Sequence, residues 1–178
     1  GTRLEIQGQE GQPAILQLNA DDGDDNADYS QIYHGTDGSV LFRNFASGSF
    51  ETNIKTIGNG AVELYYNNSK KFETHADGVT FLEHAFFGDN DRAKFGAGND
   101  LQIYHNSSHS YIDNRTGNLY IRANTDGDVG GDIHIRAKSG ENSVSCLDDG
   151  AVELYHDNSK KLETTSTGVE VTGEVASS

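Results

Sequence analysis

Residues 60–71 read GAVELYYNNSKK, and residues 150–161 read GAVELYHDNSKK. Ten of the twelve positions are identical, and the match continues more weakly through FETHADGV (72–79) and LETTSTGV (162–169). A globular enzyme rarely writes one surface-and-turn phrase twice. A chain that stacks short units does so routinely, because each unit repeats the same neighbour contacts. A second phrase, Gln31-Ile32-Tyr33-His34, returns as Gln102-Ile103-Tyr104-His105. Two related modules follow, over residues 29–83 and 100–178. The stretch 84–99, containing Phe86-Phe87-Gly88-Asp89-Asn90-Asp91, joins them, and residues 1–28 read as the end of a preceding unit.

Within the repeated phrase the residues alternate. Val62, Leu64 and Tyr66 fall on one side and Glu63 and Tyr65 on the other, as they do on a strand with one apolar and one amphipathic face. Clusters such as Asn67-Asn68-Ser69, Ala76-Asp77-Gly78 and Asp157-Asn158-Ser159 supply hairpin turns. Alternating runs bounded by turn clusters recur about every 8–12 residues from Leu4–Gln7 through Asn118–Ala123 to Val169–Thr172. No window holds apolar residues at helical spacing over three turns, so the chain is expected to be all-β, built of short antiparallel strands. Across the first hairpin, Glu63 and Glu73 are placed to pair with Lys70 or Lys71.

Composition narrows the function. Apolar residues make up 34% of the 178, fewer than a compact domain of this size normally carries, and Gly is frequent at 21. Such a chain suits an elongated object whose interior is shared along its length or with other chains. A net charge of −15 argues against nucleic acid and anionic membranes and favours solubility and cation uptake. Cys146 is the only cysteine, so no intrachain disulfide can staple the fold. No signal peptide or membrane-length apolar run is present. The chain lacks Met and opens on Gly1-Thr2-Arg3, which reads as a fragment or processed segment.

The phrases ADDGDDNAD (20–28), FGAGNDLQIYH (95–105) and ELYHDNSKKLETTSTGVEVTG (153–173) resemble those of tail-fibre and structural proteins of tailed bacteriophages. With the GAVELY phrases, the resemblance covers roughly residues 13–173. It implies a virion appendage outside the cell, an intertwined parallel homotrimer of elongated β-structure, and a role in host attachment. Its partners would be identical copies, other virion proteins and a host-surface glycan or protein receptor. Such fibres often end in an autocleaving chaperone domain, which Thr172-Gly173-Glu174-Val175 would precede. The alternation itself leaves a β-prism, a solenoid and small sandwiches open. Two other functions fit the repeats: a self-assembling bacterial extracellular filament or adhesin, and a polysaccharide depolymerase.

For chemistry, Asp22, Asp24, Asn26 and Asp28 place oxygen donors at every second position. That spacing suits Ca²⁺, which takes six to eight oxygens at about 2.3–2.6 Å; an acidic, self-capping solvated turn is the other reading. Asp126, Asp128 and Asp132 form a looser echo. His34, His105 and His156 end strands, and in a trimer copies of such a residue meet on the axis, where they would suit a transition metal. Tyr66 replaces His156 in the first repeat, which favours plain strand-end histidines, and His134 reads the same way. Cys146 reads as a small core or edge residue. Tyr65, Tyr104, Tyr120 and Tyr155 are candidates for stacking on sugars, against the commoner role of covering neighbouring strands. With no nucleophile elbow and no informative carboxylate pair, the chain is not read as an enzyme.

Overall fold

The computed structural model describes residues 1–123 and 130–175. It divides into two compact units, Gly1–Asp91 and Arg92–Ser178. The first unit is one seven-stranded antiparallel sheet in which every strand pairs with its neighbour in sequence. Its strands are β1 (Ala14–Asn19), β2 (Tyr29–His34), β3 (Val40–Asn44), β4 (Glu51–Thr56), β5 (Val62–Tyr66), β6 (Ser69–His75) and β7 (Gly78–Phe81). The second unit holds two open sheets. One is the three-stranded β8 (Arg92–Phe95), β9 (Leu101–His105) and β10 (Ser110–Asn114). The other is the five-stranded β11 (Ile133–Lys138), β12 (Glu141–Cys146), β13 (Val152–His156), β14 (Ser159–Thr165) and β15 (Gly168–Val171). Among the described residues the one helical feature is a 3-10 turn at Asn26–Asp28. All-β character is thus present, in three antiparallel sheets.

Residues 1–28, read as the end of a preceding unit, contribute β1 to the sheet of the first module, where Leu16 faces Ile32. β8, within the stretch read as connector, pairs with β9. Two expected strands are corrected. Leu4–Gln7 and Asn118–Ala123 form no ladder, although both contain alternating residues. A strand exists only where a neighbour accepts its backbone bonds, and neither segment has one among the described residues.

Turn chemistry sets the register. The two-residue loops Asn67-Asn68 and Asp157-Asn158 have φ of +50° and +58°, and +49° and +57°. Both residues of each loop are therefore left-handed, the geometry whose twist matches that of the flanking strands. Each second Asn also reaches sideways. Asn68 Oδ1 accepts the Thr52 N–H at 2.9 Å, and Asn158 Oδ1 accepts the Asn142 N–H at 2.9 Å. Both hairpins carry a register shift, after Leu64 and after Leu154, so that Tyr65 faces Lys70 and Tyr155 faces Lys160.

The register lines up one face. Across the seven strands Leu16, Ile32, Phe42, Ile54, Leu64, Phe72 and Phe81 are successive partners. Across the five strands the row is Ile135, Val144, Leu154, Leu162 and Val171; in the three-stranded sheet it is Ala93, Ile103 and Ile112. Among the described residues no second layer of strands covers these rows within a unit, since the substantial contacts between strands are all between hydrogen-bonded neighbours. Leu64 is 40% exposed and Leu154 41%. Leu4 and Ile6 lie at one end of the first row, beside Ala14, Leu16, Ile32 and His34.

Asn68→Ala loses the bond to Thr52 and puts an ordinary Cβ residue in the left-handed region; it is expected to lower the free energy of unfolding by about 2 kcal/mol. Asn68→Gly keeps the conformation and should cost about half as much. Urea denaturation of the two variants checks the order.

Candidate functional site

Among the described residues the buried ones are all polar: Gln31, Ser39, Glu63, Gln102, Ser145 and Glu153. They lie opposite the apolar rows and are covered by their own long neighbours. Tyr65 Oη donates to Glu63 Oε2 at 2.6 Å, while Lys70 Nζ donates to Glu63 Oε1 at 3.0 Å and to Glu73 Oε2 at 2.5 Å. The second unit repeats the cluster. Tyr155 donates to Glu153, and Lys160 donates to Glu153 at 3.1 Å and to Glu163 at 2.5 Å. Lys71, instead, pairs with Glu83 on the exposed side.

The bond from Tyr65, with the Lys70 ammonium, holds the Glu63 carboxyl below its ordinary range; the bonds from Tyr155 and Lys160 do the same for Glu153. The phenols move the other way: burial and the Glu63 carboxylate push Tyr65 up, and the Glu153 carboxylate pushes Tyr155 up. Lys70 and Lys160 are raised by their paired glutamates. A carboxylic acid that protonates a leaving group needs the opposite environment, one that raises its pKa.

A second polar motif recurs with a variation. Arg43 lies 3.9 Å over the Tyr33 ring and donates to Gln31 Oε1 at 2.7 Å. Arg92 lies 3.5 Å over Tyr104 and donates to Gln102 Oε1 at 3.0 Å. The arginine follows its glutamine in the first unit and precedes it in the second, yet it reaches the same place across the ladder.

The acidic loop forms a group in part. Ligand atoms of Asp22, Asp24 and Asp28 lie within 4.8 Å of one another, and Asn26 opens the 3-10 turn between Asp24 and Asp28. Asp25 Oδ1 caps that turn through the Ala27 N–H at 2.7 Å. Three carboxylates supply part of the oxygen set that Ca²⁺ takes. Of the looser echo, Asp126 and Asp128 lie outside the described residues; Asp132 Oδ1 accepts the Asp148 N–H at 2.9 Å.

His34, His105 and His156 are exposed at the ends of β2, β9 and β13. His134 bonds Ser145 Oγ at 2.9 Å on the polar face. Cys146 is a half-buried free thiol facing Ile133 and Val152. Of the four tyrosines, Tyr65 and Tyr155 serve the glutamate clusters, and Tyr104 stacks on Tyr111 at 4.8 Å beneath Arg92. Tyr120 stays 68% exposed with Arg122 at 5.0 Å. Sequence reasoning missed a different aromatic group, Tyr29 with Phe45 and Phe50, because it is assembled from β2 and both ends of the β3–β4 loop.

Because the Glu63 pKa is depressed on folding, its contribution to stability is complete above the ordinary glutamate range. It is lost as the pH falls through the lowered value. Glu63→Gln is expected to cost about 1 kcal/mol at pH 7 and to flatten the acid limb of the stability–pH curve below about pH 4.5. Thermal melts from pH 3 to pH 7 check both. Compared with known proteins, the chain matches no family model, no curated protein and no solved structure.

Proposed function

We propose that this chain is a structural segment of a phage tail fibre or related virion appendage, assembled as a homotrimer and serving host attachment. The observation that carries the assembly is the unbroken apolar row on each sheet, one residue per strand, which no other layer among the described residues covers. Soluble proteins rarely leave such continuous patches to water. The faces are narrow: strands of four to seven residues span about 14–24 Å, whereas seven strands stack to roughly 30 Å. Three narrow faces turned inward about one axis would cover one another, with the polar faces outward. The virion and attachment roles rest on the phrase resemblance. Several weak surfaces on one assembly would then bind by avidity.

Light scattering on the whole chain is expected to give about 58 kDa, three copies of the 19.3 kDa chain. A 19.3 kDa species at micromolar concentration overturns the assembly. Leu64→Ala adds a graded test. It should cost about 2–4 kcal/mol if the row is covered by other copies, and under about 1 kcal/mol if the side chain stays as exposed as in the single chain.

A filament is the second reading. Among the described residues all three sheets end in open strands, and every residue of β7 and β15 is exposed, so an edge is available for pairing with another chain. Electron microscopy separates the readings: particles of fixed length support the fibre segment, and end-to-end polymers support the filament.

A further inference from the structure

One recess in the first unit is walled by three aromatic rings. It has a volume of about 360 Å³ and is lined by Gln17, Asn26, Tyr29, Phe45 and Phe50. Tyr29 and Phe45 meet edge-on at 6.0 Å, and Phe45 and Phe50 lie 4.8 Å apart at 59°. All three are half-buried, while Gln17 and Asn26 are exposed. Gln17 is held in place by Gln31 and Asn19, each at 3.0 Å.

The second unit supplies a comparison for one closing bond of the recess. The Phe45 N–H donates to the Tyr29 carbonyl at 3.1 Å; the Arg115 N–H donates to the Asp100 carbonyl at 2.7 Å. These are equivalent positions, since Tyr29 and Asp100 each stand two residues before the Gln-Ile-Tyr-His phrase. In the second unit the closure carries polar side chains, and Thr116 Oγ1 donates to Asp100 at 3.1 Å. That backbone bond forms there without aromatic rings, although β10 is an edge strand and the second unit has no counterpart of the loop from Phe45 to Phe50. The Tyr29 and Phe45 rings are therefore not needed for that closing bond.

We propose that this recess binds one uncharged pyranose unit of a surface glycan, a neutral hexose or N-acetylhexosamine. A pyranose offers an apolar C–H face and a rim of hydroxyls. The rings match the first, and the Gln17 and Asn26 amides, each with donor and acceptor atoms, match the second. The volume falls near the lower end of small-molecule sites. Charge selects within the class. Asp22, Asp24 and Asp28 cluster in the loop that leads into Tyr29, whose hydroxyl donates to the Gly23 carbonyl at 2.5 Å. That negative field disfavours uronic and sialic acids. The inference deepens the attachment reading and rests on it for its biological sense, but the recess lies within one unit of one chain.

Saturation-transfer-difference NMR on the full chain tests it, with glucose, galactose, mannose and N-acetylglucosamine as probes and glucuronate as the charged comparator. At least one neutral sugar is expected to bind in the millimolar range, with glucuronate weaker at low salt. Phe50→Ala and Asn26→Ala should each weaken the neutral sugar by about fivefold or more, with unchanged circular dichroism. Asn26 is exposed, so its variant tests the recess even if Phe50→Ala does not fold. No signal from any sugar, a signal that survives Asn26→Ala, or glucuronate binding as tightly as the neutral sugars overturns the proposal. Light scattering on the same samples keeps the questions apart. A trimer that ignores every sugar sinks the recess alone, and a sugar-binding monomer sinks the assembly alone.

Discussion

The antiparallel ladder brings one apolar side chain from every strand into line, and the rest of the molecule is arranged around that register. Because side chains alternate with a period of two, a slip of one residue would scatter Leu64, Phe72 and Phe81 to the opposite face. The left-handed Asn67-Asn68 and Asp157-Asn158 loops prevent the slip. The register shift beside each loop then brings Lys70 opposite Tyr65 and Lys160 opposite Tyr155. Turn, shift and cluster are one device, used twice.

The polar face does within one sheet what a second layer does in a sandwich. Long side chains lie flat across neighbouring strands, with a guanidinium over Tyr33, a guanidinium over Tyr104, and an ammonium between two carboxylates in each unit. Their stems exclude water from Gln31, Gln102, Glu63 and Glu153. Exposed ion pairs contribute little singly. Here the pairs are coupled to buried acceptors, so removal of one partner leaves another unsatisfied.

Much of this was legible in the sequence. The turns, the all-β character, the two sides of Ala61–Tyr66 and the pairing of Glu63 and Glu73 with a lysine all follow from alternation and turn residues. Alternation does not say which side will be covered. The usual rule of apolar inside presumes a second layer, and in the single chain Glu63 is more buried than Leu64. Nor does alternation guarantee a partner: Leu4–Gln7 and Asn118–Ala123 have the pattern without a ladder, while Arg92–Phe95 is a strand because β9 lies beside it. The acidic loop's grouping of Asp22, Asp24 and Asp28 was visible in spacing alone. The Tyr29, Phe45 and Phe50 recess was not, since it depends on how the β3–β4 loop folds back against β2.

Every strand pairs with the one made just before or just after it. The entropic cost of loop closure is therefore small at each step, and hairpins can add in order as the chain leaves the ribosome. No distant segment has to be awaited. Among the described residues, nothing formed on that schedule covers the apolar rows. The ladder can thus form early and leaves an apolar face exposed on the single chain, a surface that favours aggregation while the protein folds.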